Sequence, residues 1–250
     1  MPDATLTVLG RAGAFPQPGE ACRGYLLRAG GEQVLVGCGS GVAGRLAWAL
    51  PEPAGLTAVL LPDLRPDHCS DLWAVGSLAA CAREHGRRRG LLPVYAFGEP
   101  DAAWRALHRP GVLDVRRFGA ADVVAVGGWR FSFVRQSHPW PGVAVVAVAP
   151  GGVRCALVTL GRPGPELAGA VAGVPWLLVE VGGPADGLDE GLEGGMAPVE
   201  AGRLAADAGA SLLLLSHMHP EDDAAALLAA ARRVFSRSEW ALEARTYELG

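Results

Sequence analysis

The stretch Leu60-Leu-Pro-Asp-Leu-Arg-Pro-Asp-His-Cys-Ser-Asp-Leu72 largely decides the fold that we predict for this chain. An apolar run over residues 56–61 leads into it and predicts a buried strand, and the pattern from Cys69 to about Arg89 predicts a helix. Sites are often built on a polar loop between a strand and a helix, because the rigid scaffold holds the loop ends in place. The polar side chains of this loop are Asp63, Arg65, Asp67 and His68.

Strands and helices alternate on both sides of this loop. Strands are predicted over residues 5–9, 25–29 and 33–36, a run of strands over 112–160, and strands alternating with helices from 176 onward. Two mixed sheets packed face to face, with helices on the outer faces, satisfy this order. No linker rich in Pro, Gly or Ser separates two cores, so we predict a single domain over residues 1–250. The Gly-rich segment 182–198 is predicted to be a mobile surface loop.

Composition and charge narrow the class of protein. Half of the 250 residues are hydrophobic and the net charge is −4, which is typical of a globular protein and gives no reason to expect a nucleic-acid partner. No apolar run approaches the ~20 residues needed to cross a bilayer, so no membrane partner is expected. Five widely spaced cysteines without a C-x-x-C pair favour buried thiols in a reducing compartment. We therefore expect a cytoplasmic protein.

Motifs along nearly the whole chain resemble those of the metallo-β-lactamase superfamily, in particular its ribonuclease Z and phosphodiesterase-like branch. The loop after residue 60 is similar to the family motif H-x-H-x-D-H. Three later segments are similar to the second histidine site, the Ser/Thr-Gly-Asp-Thr-Gly turn and the last histidine, namely Ser137-His138-Pro139, Thr159 to Gly164, and Ser216-His217-Met218-His219-Pro220. The resemblance implies a four-layer αββα sandwich with its site at one edge. The sequence of this chain has no insertion that resembles the substrate arm of the tRNA-processing members.

The same resemblance implies a site for two Zn²⁺ ions and a bridging hydroxide, but this chain departs from the family's ligand set. It keeps ligands at Asp67, His68, His138 and His217, and it has substitutions at Asp63, Arg65 and Arg162. An Arg cannot ligate a metal, because its guanidinium stays protonated and has no lone pair to give. We therefore expect the di-zinc centre to be lost, with Arg65 and Arg162 balancing the charges of Asp63 and Asp67.

Three functions stay open at this point. The first is a metal-free pocket, without a cofactor, in which Arg65 and Arg162 bind an anionic small molecule or the site histidines carry out non-hydrolytic acid–base chemistry. The second is a mono-zinc hydrolase of the phosphodiesterase or esterase kind, with its metal held by Asp67, His68 and His217. The third is a non-catalytic scaffold or regulatory pseudoenzyme. Glu180, at the end of a buried strand, matches an acidic position of the branch, and three roles stay open for it: to orient His217, to act as a base, or simply to cap the strand end. The branch also makes a homodimer a reasonable expectation.

Overall fold

The computed structural model describes residues 4–50, 52–98, 102–159, 161–182 and 195–250. In the first half of the described chain, three antiparallel strands come first, and helices and strands then alternate. Their bounds are β1 (Ala4–Gly10), β2 (Gly24–Ala29), β3 (Glu32–Val36), α1 (Val42–Ala49), β4 (Ala58–Leu61), α2 (Pro66–Cys69), α3 (Leu72–Glu84), β5 (Leu92–Phe97), α4 (Ala102–Ala106) and β6 (Leu113–Phe118). A short 3-10 helix spans Pro53–Gly55.

The second half begins with antiparallel strands and then alternates strands with helices. Its bounds are β7 (Val124–Val126), β8 (Trp129–Arg135), β9 (Val143–Val148), β10 (Arg154–Val158), α5 (Pro165–Val171), β11 (Trp176–Glu180), α6 (Pro198–Ala208), β12 (Leu212–Ser216), α7 (Ala224–Val234), β13 (Ser238–Trp240) and β14 (Thr246–Glu248). Within the described ranges, no helix has both the length and the apolar character needed to cross a membrane. Most of the segment predicted as a mobile loop, residues 183–194, lies outside the described residues.

The strands form two sheets of seven, and both sheets have the same arrangement. The strand order is β14-β1-β2-β3-β4-β5-β6 in one sheet and β7-β8-β9-β10-β11-β12-β13 in the other. Each sheet pairs its first four strands antiparallel and continues with three parallel pairings. The mixed sheets predicted from the sequence are therefore confirmed. The two sheets share this arrangement although the sequence shows no internal repeat. A shared strand arrangement requires similar apolar patterns but not similar residues.

Three apolar layers hold the sandwich together. Facing side chains of both sheets fill the central layer, which includes the fully buried rings of Trp129 and Phe131. A second layer packs α1, α3 and α4 on the outer face of the first sheet, around residues such as Leu46 and Val75. A third packs α5, α6 and α7 on the second sheet, around residues such as Leu204. The αββα fold class expected from the sequence is confirmed by this layering.

The parallel strands of both sheets deliver their carboxyl ends to one edge of the sandwich. β3 and β4 end there in the first sheet, and β11 and β12 end there in the second. β2 runs antiparallel to β3, so its first residues lie at the same edge. Loops that are far apart in sequence therefore meet at this edge, which is where ligands bind in many α/β sheets.

The helix predicted after β4 is divided into two helices in the structure. A single helix from Cys69 to Arg89 is expected, but a one-turn helix, α2, precedes a separate helix, α3. The break occurs because the backbone N–H of Asp71 donates to the carbonyl of Cys38 at 3.0 Å, and the Asp71 carboxylate accepts from the N–H of Ala43. Asp71 therefore binds this loop to the turn after β3 and to the start of α1.

The cysteines follow the expectation only in part. Cys22, Cys38 and Cys155 are buried and Cys69 is half-buried, but Cys81 is exposed on α3. None of the five is in a disulfide. The expectation of buried thiols is wrong for Cys81, because the outer helices are buried on one face only.

Gly39 is predicted to be necessary for the approach of α2 to the turn after β3. A Cβ atom at this position would lie 1.9 Å from the carbonyl oxygen of Asp67. We expect Gly39→Ala to lower the free energy of unfolding by about 2 kcal/mol, because the backbone of α2 must shift. The matched control is Gly44→Ala on the exposed face of α1, where a Cβ meets nothing within 4 Å; it should raise stability by about 0.5–1 kcal/mol. Equal urea denaturation midpoints for the two variants would contradict this role of Gly39.

Candidate functional site

Asp63 lies two residues after the end of β4 and organises the polar loop around its carboxylate. Its Oδ1 accepts from the backbone N–H of Arg65 at 2.9 Å and from the Arg65 Nε at 3.2 Å, and its Oδ2 accepts from Nη2 at 3.0 Å. The Nδ1 atom of His68 lies 2.8 Å from the same Oδ2. The structure therefore pairs Arg65 with Asp63 and places His68 against the same carboxylate.

Arg23 is the residue of this site that the sequence analysis misses. It precedes β2 and is only 1% exposed, and its guanidinium forms ion pairs with Asp67 and with Glu180. The sequence around it reads Ala21-Cys22-Arg23-Gly24-Tyr25, a lone cation among small and apolar residues at the start of a strand. That context is the available signal, because an Arg buried in such a segment requires carboxylate partners.

Glu180 joins the two halves of the molecule. It ends β11 in the second sheet, whereas Arg23, Arg65 and His68 all belong to the first half of the chain. Its Oε2 pairs with Arg23 and lies 3.7 Å from the Arg65 Nη2 atom, and its Oε1 lies 3.3 Å from the His68 Nε2 atom. Glu180 therefore links the two sheets, and among the described residues its oxygens face the side chains of Arg23, Arg65 and His68.

These six buried side chains are called the ion-pair cluster below: Arg23, Asp63, Arg65, Asp67, His68 and Glu180. The cluster contains three carboxylates, two guanidiniums and one imidazole. Both ring nitrogens of His68 face carboxylate oxygens, which only accept when ionised, and an imidazole donates from both nitrogens only when it is protonated. In that state the cluster carries no net charge.

The ion pairs outweigh the cost of burial for two of the carboxylates. Burial acts to raise the pKa of Asp63, but the adjacent His68 and Arg65 hold it well below the usual range. Burial also acts to raise the pKa of Glu180, and Arg23 and His68 hold it well below the usual range. Both groups are therefore ionised at neutral pH, as a balanced cluster requires.

His138 and Arg162 lie on neighbouring loops outside the cluster. His138 is half-buried between β8 and β9, and its Nδ1 accepts from the backbone N–H of Trp140 at 3.0 Å. Arg162 is half-buried after β10, and its backbone pairs with that of Ser137. The guanidinium on Asp67 belongs to Arg23, so the expectation that Arg162 balances Asp67 is wrong. Sequence spacing could not show this, because Arg23 reaches Asp67 from another strand.

His217 directly follows β12 and is 1% exposed. Its φ of 72° is in the left-handed region, which is rare for a residue other than glycine. Its Nε2 atom lies 3.1 Å from the Nε2 atom of His219. His219 was not among the site residues expected from the sequence, and the short spacing between the two histidines is the signal that could have indicated it.

The residues present do not fit a zinc ion held by Asp67, His68 and His217. Asp67 is engaged by the guanidinium of Arg23, and the ring nitrogens of His68 face Asp63 and Glu180. The Nε2 atom of His217 faces His219. Over the part of the chain that the structure describes, no three His, Cys, Asp or Glu side chains converge as a metal would need.

Two seven-stranded sheets in this order, with loops meeting at a shared edge, define a known class: the chain has the metallo-β-lactamase fold. The protein named "Probable metallo-hydrolase YhfI" from Bacillus subtilis (strain 168) is 27% identical over 226 residues, which cover 85% of this chain and 86% of that protein. The crystal structure of YhfI superposes with a TM-score of 0.90 at 25% identity and covers 98% of both chains.

More distant relatives share the fold. A diphosphatase from the PhnP family superposes with a TM-score of 0.79 at 14% identity, and human tRNase Z, short form, with 0.76 at 17% identity. These structures cover at least 98% of both chains compared. Ribonuclease Z from Mycobacterium marinum is 45% identical over 70 residues, but these are 28% of this chain and 25% of that enzyme. No family model matches the chain.

Glu180 is predicted to be the most costly member of the cluster to neutralise. Glu180→Gln keeps the shape of the side chain but leaves two buried guanidiniums sharing two carboxylates, and we expect a loss of about 3 kcal/mol in the free energy of unfolding. The matched control is Glu52→Gln, whose partner Arg87 lies 3.5 Å away on the surface; its effect should stay within about 0.5 kcal/mol. Urea denaturation measures both, and an equally small effect for Glu180→Gln would refute the role of the cluster in joining the sheets.

Proposed function

We propose that this chain is a metal-independent, non-hydrolytic member of its superfamily that binds an anionic small molecule beside the ion-pair cluster. The guanidiniums of Arg23 and Arg65 take the role that zinc ions have elsewhere in the family, namely to neutralise the site carboxylates. The observation that carries the proposal is the placement of the buried Arg23 guanidinium between Asp67 and Glu180. A metal-independent function follows, because the carboxylates already have their cations.

Electrostatics support the absence of a metal between Asp67, His68 and His217, a position that is called the old centre below. A divalent ion ~5 Å from one guanidinium is repelled by roughly 7 kcal/mol at an effective dielectric of ~20. The Arg23 side chain is 1% exposed, so its guanidinium is held inside the protein at this position. A metal bound by Asp67 and His68 would therefore leave a buried cation without its carboxylate, which is among the most destabilising arrangements in a protein.

The same arrangement argues against hydrolysis by the family's route. That route needs a metal-activated hydroxide, and a cluster without surplus positive charge does not supply one. The reactive groups outside the cluster are histidines, of which His138 is half-buried and accessible from the surface. Non-hydrolytic acid–base chemistry on a bound ligand is therefore the reaction class that suits these residues.

An anionic ligand fits the loops outside the cluster better than the cluster itself. Arg65 was expected to bind the anion, but it is 7% exposed and already engages Asp63. Arg162 and His138 are half-buried on loops that pair through Ser137, and Trp140 beside them is 57% exposed. These three side chains are called the rim. A guanidinium beside an imidazole and an exposed indole suits a carboxylate or phosphate group carried on an apolar body.

The metal-independent reading predicts that the old centre holds no zinc. Protein purified without chelator should contain far less than one zinc per chain at this position, so Asp67→Asn should leave the zinc content measured by mass spectrometry unchanged. The physical reason is the guanidinium already paired with Asp67. About one zinc per chain that disappears in Asp67→Asn, with phosphodiesterase or esterase activity lost on chelation and restored by zinc, would establish the mono-zinc hydrolase instead.

The rim is predicted to bind inorganic phosphate through Arg162. Arg162→Gln should weaken phosphate binding, measured by calorimetry, by about tenfold or more, because it removes a charge-assisted hydrogen bond. The matched control is Arg135→Gln on the adjacent strand, whose guanidinium stacks over the ring of Phe97 and should not affect affinity. Equal affinity in Arg162→Gln would contradict the anion site, and no phosphate binding by the parent chain would favour a non-catalytic scaffold.

A further inference from the structure

We infer that the outer face of α1 and α3 is the surface through which two copies of this chain form a homodimer. Two tryptophans lie on this face: Trp48 of α1 is 65% exposed, and Trp73 of α3 is 47% exposed. Tryptophan is enriched among the residues that contribute most to protein–protein binding, because its large ring loses much contact with water there. Neither tryptophan belongs to the ion-pair cluster or to the rim.

The exposed positions around these tryptophans carry no charge. Residues 42–49 and 72–82 contain one charged residue, Arg45, which is half-buried and pairs with Glu243 at 3.1 Å. A surface helix ordinarily has charged or polar side chains on the face opposite the core, and a helix that is apolar all round is expected to be covered. The exposed residues of these two ranges are called the helix face below: Gly44, Ala47, Trp48, Trp73, Ala74, Ser77 and Cys81.

Charged residues border the helix face. The Arg109 Nη1 atom donates to the carbonyl oxygen of Trp73 at 3.0 Å and to the Ser77 Oγ atom at 2.8 Å. Arg83 and Glu84 are exposed at the end of α3. An apolar centre with a polar border is the usual anatomy of a surface that binds another protein, because the centre is desolvated while the border stays in contact with water.

A second copy of the chain suits this face for two reasons. A two-fold axis places a patch opposite itself, so the patch must be complementary to its own shape. The helix face combines bulky side chains, Trp48 and Trp73, with small ones, Ala47, Ala74 and Ser77, on which the indoles of the other copy can pack. An uncharged patch also meets its own copy without the repulsion between like charges that a charged patch would have.

The area of the helix face is sufficient for a weak dimer. A tryptophan buries roughly 150–250 Å² when it is fully covered, so the two half-exposed rings supply about 200 Å² per copy. With the small side chains and the charged border, the contact reaches about 500–600 Å² per copy, or roughly 1,100 Å² in total, near the lower limit of specific interfaces. We therefore expect a dissociation constant in the micromolar range.

Sedimentation velocity of the full-length chain between about 1 and 100 µM tests this surface. We expect a species of twice the 25.8 kDa chain mass that increases with concentration. Trp48→Glu and Trp73→Glu should each raise the dissociation constant by at least about tenfold, because each places a charge in the apolar centre. The matched control is Trp140→Glu, at a tryptophan that is 57% exposed on the loop between β8 and β9; it should dimerise as the parent does.

The thiol of Cys81 gives a second readout, because it is exposed on the helix face. Its alkylation by iodoacetamide should slow as the parent dimerises, and its rate in a Trp73→Glu variant with the circular dichroism of the folded chain should not depend on concentration. A monomer at all concentrations, or equal dimerisation in folded Trp48→Glu and Trp73→Glu variants, would overturn the inference. Binding of a monomeric parent to phosphatidylcholine–phosphatidylserine vesicles, lost in Trp48→Glu, would overturn it in favour of a lipid surface.

Discussion

The guanidinium of Arg23, buried between Asp67 and Glu180, is the interaction on which the rest of this site depends. Asp67 belongs to the loop after β4 in the first sheet, and Glu180 ends β11 in the second. A charge in the protein interior is tolerated only when opposite charges and hydrogen bonds surround it. Arg23 therefore joins the loop after β4 to the end of β11 through a buried, specific contact.

Under the proposed function, the cluster around Arg23 would let a metal-binding fold persist without metal at its old centre. In this superfamily the edge where the loops meet carries several carboxylates and histidines, which repel or remain unpaired if nothing cationic joins them. Here Arg23 and Arg65 supply the positive charge from the chain itself, and His68 completes the balance between Asp63 and Glu180. We propose that this closed cluster is structural, and that the chemistry of the protein has moved outward to the rim.

The sequence predicts the fold well because the fold depends on patterns that are local. Apolar strand runs, turn residues and the order of the motifs indicate the αββα sandwich without any knowledge of contacts. The pairing of Arg65 with Asp63 is also accessible, because the two lie two residues apart in one loop. By contrast, Arg23, the partner of Asp67, lies 44 residues earlier in the chain. It reaches the site because β2 runs antiparallel to β3, so that β2 begins at the edge where β3 ends.

His219 shows the same limit on a smaller scale. Its position two residues after His217 is visible in the sequence, but in a regular strand such side chains share a face without their ring nitrogens meeting head to head. The contact depends on the positive φ of His217 and on the N-terminal loop that enforces it. Backbone conformations of this kind are not encoded in residue type, because only glycine adopts them without cost.

Diffraction from crystals grown with Zn²⁺, with data collected at the zinc absorption edge, tests the central claim most directly. The account predicts that no anomalous peak lies between Asp67, His68 and His217, and that density for the Arg23 guanidinium fills the space between Asp67 and Glu180. An anomalous peak bound by Asp67, His68 and His217, with Arg23 turned away from Asp67, would contradict it.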